Sequence, residues 1–301
     1  NLTYRPLKLQ TLVQCIIGVQ LEESSQQIVK PWPLTLNGTL LDHDTYSAEA
    51  ARSVLERVGA GGIPIVPATS KTYSEVVEFR SSMNLTHGFI VENGAALYVP
   101  VDADIRCPMG SKLFDGFWVR EFGVKRQALC DVLEALDLGS SYRFKSLTDM
   151  RSSEVADITG LDLASARRAQ QRLYSETLDW RDSEEALSAF SDVLTRIGFC
   201  VSAGGRFVHL MGPNNKGIAA QWFQALLKRE LSPDVVAIAA GDAPNDKELL
   251  ETADYALLMR NNRGRALELT RSGPTWLSNS AGPEAWAKGI LDILTSIGWE
   301  V

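Results

Sequence analysis

The chain has 301 residues, 45% of them hydrophobic and 22% charged, with a formal net charge of −7. That is long enough for a large core divided between two domains. The acidic balance argues against a general nucleic-acid or anionic-membrane surface and leaves a small molecule as the expected partner, met in a local basic pocket.

In chain order, the first apolar run ("TLVQCIIGV", residues 11–19) is far too short to span a bilayer. The "QLEESS" after it offers no small-residue cleavage site. No membrane association is expected, and the cytoplasm is the expected compartment. Cys15, Cys107, Cys130 and Cys200 form neither a CxxC pair nor a metal-ligand spacing and read as buried structural thiols. Pro31 and Pro33 in "VKPWPL" remove ladder donors where a central strand is due. Residues 1–34 are therefore set apart as an atypical N-terminal segment, its strand damaged, displaced or supplied by "LVQCIIGVQ".

From residue 45 the signals become regular. Thr45 or Ser47 caps a helix with Ala50, Ala51, Val54, Leu55 and Val58 at helical spacing and Gly59 as terminator. "IPIVP" reads as a strand running into "ATSKT" and a helix bearing Val76, Val77, Phe79 and Met83. "GFIVENGAALYVP" reads as two strands about a Glu-Asn-Gly hairpin turn. Residues 101–205 change character, with helices expected near 125–137, 162–174 and 183–197 and a strand at "ETLDWRD".

The α/β rhythm then resumes. "NKGIAAQWFQALLKREL" reads as a helix with Ile218, Trp222, Leu226 and Leu227 on one side, and "DVVAIAAGD" as a buried parallel-type strand. "APNDKELLETAD" turns into a short helix, "YALLM" is a strand, and "GPEAWAKGILDILTSIG" closes the chain as a helix. The expected fold is α/β: a Rossmann-like doubly wound parallel sheet from residues 35–100 and 206–301, interrupted by an α+β module at 101–205.

Chemistry concentrates at three loops. In "AIAAGDAPNDKELL" a strand ends at Gly241, and Asp242, Asn245 and Asp246 follow on one tight turn. Such oxygen donors at the carboxyl edge of a parallel sheet suit Mg²⁺, although an ordinary capped turn reads equally well. "ATSKT" sets Thr69, Ser70 and Lys71 before a helix, where hydroxyls and N–H groups hold a phosphoryl oxygen or simply cap the helix. Lys216 in "PNNKG" opens another helix and is either a phosphate-neutralising ammonium or a solvated lysine.

From about residue 36 to the C-terminus, the strings "GTLLDHDTYS", "SKT", "FIVENGAALYVP", "DWRDSEE", "GGRFVHLMG", "GDAPND" and "GPEAW" occur in order. In this the chain resembles the haloacid dehalogenase superfamily, and within it the mannosyl-3-phosphoglycerate phosphatase family. The resemblance implies a Rossmann-like core with an inserted cap and a Mg²⁺-dependent phosphomonoester hydrolase acting on a small phosphorylated sugar acid. It also implies that Thr69 is the second-motif hydroxyl, Lys216 the third-motif lysine, and Asp242, Asn245 and Asp246 the metal loop. Ser70 and Lys71 become candidates for substrate contact, and Arg181, Arg206 and His209 for the glycerate carboxylate or the sugar; for the latter three a structural role is as compatible with the residue types.

The first motif departs from the family's Asp-x-Asp-Gly-Thr. "TLNGT" puts Thr35 at the nucleophile position and Asn37 at the acid/base position. A threonine hydroxyl needs an adjacent base, which is not visible nearby, and Asn37 exchanges no proton. The expectation is impaired catalysis with weakened Mg²⁺ binding. Phosphate binding is retained, since two negative charges are gone from a pocket that keeps Lys216. Asp42 and Asp44 lie too far past the loop to substitute as nucleophiles. The alternative is a pseudophosphatase that binds a phosphorylated sugar acid or a protein partner without turnover. A recombined or mis-assembled origin for residues 1–35 is a further reading of the abrupt loss of resemblance there.

Overall fold

The computed structural model describes residues 49–103, 105–204, 207–260 and 267–299. Thr35, Asn37, Arg206, Cys15, Asp42, Asp44, the cap candidates Thr45 and Ser47 and the whole segment 1–34 lie outside the described residues. Two compact units result, one from residues up to 66, 224–242 and 250 onward, the other from 67–223 and 243–249. Among the described residues no helix is long and apolar enough to cross a membrane.

Helix α1 (Glu49–Ala60) buries Ala51, Val54, Leu55 and Val58, a stripe three to four residues apart. It runs past Gly59, and the left-handed residue beyond its end is Gly62, with φ 72°. The expected strand "IPIVP" is not a strand among the described residues. Ile63, Ile65 and Val66 are buried, but Pro64 and Pro67 have no N–H to give a ladder, and among the described residues the pairing here is a parallel bridge from Ala68 to Ile90.

Helix α2 (Tyr73–Ser82) is started by a capping box, in which Thr72 Oγ1 accepts from Glu75 N at 3.3 Å and Glu75 Oε2 accepts from Thr72 N at 2.9 Å. Strands β1 (Phe89–Val91) and β2 (Ala96–Pro100) form the expected antiparallel hairpin. Its connection is a 3₁₀ turn over Glu92–Gly94, with φ positive at all three residues. The sheet runs on past Pro100 through β3 (Lys112–Phe114) and β4 (Phe117–Glu121), in the order β1-β2-β4-β3. Phe89 stacks on Tyr98 at 4.9 Å, and Tyr73, Phe114 and Phe117 close around them.

The middle of the chain is a second antiparallel sheet. Helix α3 (Arg126–Ala135) and the single turn α4 (Leu138–Ser141) lead into β5 (Phe144–Ser146); α5 (Ser152–Thr159) and α6 (Leu163–Ala169) precede β6 (Ser175–Trp180). Helix α7 (Glu184–Arg196) is followed by β7 (Cys200–Gly204) and β8 (Phe207–Met211), and the strand order is β5-β6-β8-β7. The helix expected at 162–174 is shorter, because the chain turns after Ala169 to enter β6. Leu178, Val208 and Leu210 pack with Leu129, Phe190 and Leu194 on one face. Strand alternation sends Ser175, Thr177 and Asp179 to the other, where Thr177 is directly opposite His209 and Asp179 opposite Lys145.

Helix α8 (Lys216–Glu230) buries Lys216, Ala219, Ala220, Phe223, Leu226 and Leu227. Ile218, expected on that face, is 44% exposed. Two residues along a helix are about 200° apart, so turning Lys216 inward turns Ile218 outward. Strand β9 (Ile238–Gly241), helix α9 (Lys247–Thr252), β10 (Tyr255–Leu258) and β11 (Thr275–Leu277) follow, the strands forming a parallel sheet in the order β11-β10-β9. The closing helix α10 (Pro283–Ser296) packs on α1 and on β10, and Gly289 admits the Leu257 side chain, since a Cβ there would lie 2.6 Å from Leu257 Cδ1. The expectation of buried cysteines fails for the three described. Cys107 and Cys200 are exposed and Cys130 is half-buried, Cys200 because it starts the edge strand β7.

Candidate functional site

The left-handed turn Glu92–Gly94 gathers three loops. Thr69, 2% exposed, donates its N–H to Ile90 O and accepts at its carbonyl from Asn93 N at 2.9 Å, while its Oγ1 accepts from Lys71 N at 3.1 Å. Asn93 O accepts from Asn214 Nδ2 at 3.1 Å, and Asn93 Oδ1 accepts from Asn245 Nδ2 at 2.9 Å. Gly94 is needed by shape as well as by its φ of 88°, since a Cβ there would sit 2.0 Å from Asn215 O. One turn thus fixes the "ATSKT" loop, the "PNNKG" entry to α8 and Asn245 relative to each other.

Lys216 follows immediately. Asn215 Oδ1 accepts from Ile218 N at 2.9 Å, capping α8, and Lys216 Nζ donates to Asp246 Oδ1 at 2.6 Å. Both side chains are almost fully enclosed. Asp246 Oδ2 accepts from Ala243 N at 3.1 Å, so both carboxylate oxygens are engaged. Gly217 lets the helix start against Glu248, whose carbonyl oxygen would lie 2.6 Å from a Cβ at that position.

A second cluster surrounds Arg172, between α6 and β6. Arg172 Nη1 donates to Ser70 O at 3.2 Å and to Ser175 Oγ at 2.8 Å. Ser175 Oγ donates to Glu92 Oε2 at 2.6 Å, and Glu92 also accepts from Leu173 N and Tyr174 N. His209 Nδ1 is 3.1 Å from Thr177 Oγ1. Burial first, then the charges of Arg172 and Lys216, pull the His209 imidazole down to about 3, so it is neutral at physiological pH. Lys71 Nζ is 3.2 Å from Glu75 Oε1. Burial opposes ionisation of Glu75, but Lys71, Arg172 and the Thr72 N–H outweigh it and hold the carboxyl below its ordinary value.

The structure therefore brings together Thr69, Asn245, Asp246 and Lys216 through Asn93, and ties Ser70 to Arg172, whose charge also reaches His209. Arg181 is not among them: its Nη2 and Nε both contact Asp179 Oδ2, at 2.6 and 2.8 Å, and more than half of it is exposed. Asp242 directly follows β9 and is half-buried in the other unit. For a divalent cation, carboxylate and amide oxygens of the kind that Asp242 and Asn245 each carry are suited to Mg²⁺. In number they are few: among the described residues no group of three or more His, Cys, Asp or Glu is arranged around a common point, and Asp246 is committed to Lys216.

Sequence reasoning passed over Glu92, Asn93 and Arg172. The "ENG" string was legible as a turn, but its side-chain bonds go to residues 81 to 152 positions away, and no local spacing announces them.

A family model for haloacid dehalogenase-like hydrolases matches residues 34–106. The fold is similar to that of BT1666, a phosphatase of the HAD superfamily from Bacteroides thetaiotaomicron, at 18% identity and a TM-score of 0.63, covering 93% of this chain and 99% of the other. It is also similar to the HAD subclass IIB sugar phosphatase BT4131, at 17% identity and a TM-score of 0.59, covering 90% and 100%. The class is thus the HAD fold, a Rossmann-like α/β core with an inserted α+β cap. The chain is 31% identical over 262 residues, 86% of its length and 95% of the relative's, to the glucosyl-3-phosphoglycerate/mannosyl-3-phosphoglycerate phosphatase of Methanococcoides burtonii. It belongs to the mannosyl-3-phosphoglycerate phosphatase family of that superfamily.

Proposed function

We propose that this chain binds a small phosphorylated sugar acid at the site of a mannosyl-3-phosphoglycerate phosphatase and hydrolyses it slowly or not at all. The observation that carries the reading is the first motif: Thr35 and Asn37 stand in "TLNGT" where the resemblance calls for two aspartates, in a chain that keeps Thr69, Lys216, Asp242 and Asp246. In this reading residues 35–100 and 206–301 form the core, 101–205 the cap and 1–34 an atypical leading segment.

The roles follow from chemistry. Lys216 supplies positive charge to the phosphoryl group, oriented by Asp246, and the Thr69 hydroxyl with the N–H groups of Ser70 and Lys71 holds its oxygens. Mg²⁺, held by Asp242 with Asn245 in support and the backbone carbonyl of Asn37, would neutralise phosphate charge when bound; with one carboxylate fewer than the family pattern its affinity is low. Thr35 has a hydroxyl that stays protonated at neutral pH, and Asn37 neither gives nor takes a proton, so neither covalent capture nor leaving-group protonation is supported. Losing a covalent nucleophile in a hydrolase costs on the order of 10⁶ in rate, or roughly 8 kcal/mol of barrier.

In a pseudophosphatase the same chain binds and releases its ligand intact. Calorimetric titration of mannosyl-3-phosphoglycerate into the chain with Mg²⁺, beside phosphate release under the same conditions, tests both readings. Binding with little or no release supports the proposal. Absence of binding overturns it, and rapid release overturns the claim of impairment.

A further inference from the structure

Three cations that the sequence offers as site residues are paired with acids. Lys71 meets Glu75, Arg181 meets Asp179 and Lys216 meets Asp246. Arg172 differs from these three: among the described residues no carboxylate lies in ion-pair contact with it, and it donates to the neutral oxygens Ser70 O and Ser175 Oγ. Both bonds use Nη1. Nε is enclosed and makes no hydrogen bond, and it lies on the edge that a guanidinium offers to a carboxylate in a bidentate pair. The side chain is half-buried and its charge is felt by the Glu75 carboxylate, but among the described residues no anion touches this edge, which leaves it open to the carboxylate of a ligand.

The guanidinium is also held in place before any ligand arrives. Ser175 Oγ gives its proton to Glu92 and takes the Arg172 donor on a lone pair. Glu92 in turn is anchored by the Leu173 and Tyr174 N–H groups. This relay fixes the side chain beside Ser70 without neutralising it directly. Thr177 and the neutral His209, on the same face of the sheet as Ser175, offer hydroxyl and ring nitrogen to polar groups without competing for an anion.

We propose that Arg172 is the residue that reads the carboxylate of the ligand, a specificity role that the resemblance had suggested for Arg181, Arg206 or His209. The inference rests on the proposed reading of the site as one for a phosphorylated hydroxy acid. Within that reading it separates two jobs: Lys216 meets the phosphoryl group, and Arg172 selects ligands that also carry an acid. Arg181, already closed by Asp179, is left a structural part.

The test is calorimetric titration of the full chain, with Mg²⁺, using 3-phosphoglycerate and glycerol 3-phosphate, which share a phosphate and differ in the carboxylate. The unaltered chain is expected to prefer 3-phosphoglycerate by about tenfold or more, the scale of one charge-assisted pair. Arg172→Lys keeps the charge and loses the fork; it should weaken 3-phosphoglycerate by about tenfold while holding glycerol 3-phosphate within about twofold. Arg172→Met should abolish the preference, and the retained affinity for glycerol 3-phosphate reports that the site is folded. If both variants keep the preference, or lose both ligands equally, the role assigned to Arg172 is wrong while the phosphate-site reading stands. If the unaltered chain binds neither ligand, both fall.

Discussion

Lys216 Nζ and Asp246 Oδ1 are 2.6 Å apart, and the two side chains are 4% and 2% exposed. A buried pair of this kind is weak evidence for stability, since desolvation offsets much of the attraction, but breaking it leaves one charge stranded. It also decides what the site presents: Asp246 is tied to the lysine and to the Ala243 N–H, so it orients Lys216 more readily than it adds a direct metal ligand.

Lys216→Met should therefore destabilise the protein by about 3–5 kcal/mol, and Asp246→Asn by a comparable amount. The double variant should recover part of the loss, because neither charge is then stranded. Urea unfolding of the three variants and the parent measures the coupling; additive losses would show that the two side chains do not act as a pair.

Gly94 offers a test of the turn that joins the loops. Gly94→Ala combines a φ of 88° with a Cβ 2.0 Å from Asn215 O, whereas Gly116→Ala has a φ of 77° and nothing within 4 Å. The second should cost about 1 kcal/mol for backbone strain alone. The first should cost at least about 2 kcal/mol more, because the Asn215 backbone at the entry to α8 must move. Denaturant midpoints separate the two, and equal losses would mean that the close packing at Gly94 is not rigid.

His209 gives the fold a pH dependence. Burial, Arg172 and Lys216 lower its value to about 3, from the 6.5 expected in the unfolded chain. The folded ring stays neutral while the unfolded one takes a proton, so stability is full above about 6.5 and declines as pH falls from there toward 3. His87, lowered by burial and Arg80, contributes in the same direction. Between pH 7.5 and 5.5 the share of His209 should be roughly 1 kcal/mol. His209→Gln should remove that share from the difference in urea midpoints; an unchanged difference would show that the ring titrates normally.

Much of the fold was legible because its signals are local. The apolar stripe of α10, the continuous run of β9 and the "ENG" hairpin each announce their structure within a dozen residues. The place of Lys216 at the start of α8 was legible for the same reason, since a capped helix begins there. Failures came where distant residues decide. "IPIVP" carries the composition of a strand, but two prolines in five residues leave it few donors. Ile218 was placed by periodicity alone, whereas the ion pair with Asp246, thirty positions on, sets which side of α8 faces inward. Arg172 looked like one more charge near a helix end. Its meaning lies in the absence of an acid partner among the described residues, which requires the fold to be seen.

The central claim is that the frame of a phosphatase site persists while Thr35 and Asn37 withhold its chemistry. Phosphate release from mannosyl-3-phosphoglycerate with Mg²⁺ should be compared between the unaltered chain and the double variant Thr35→Asp, Asn37→Asp. The account predicts a rate lower in the unaltered chain by several orders of magnitude, on the order of 10⁶ if the whole nucleophile contribution is restored. Equal, rapid release by the two proteins would contradict it.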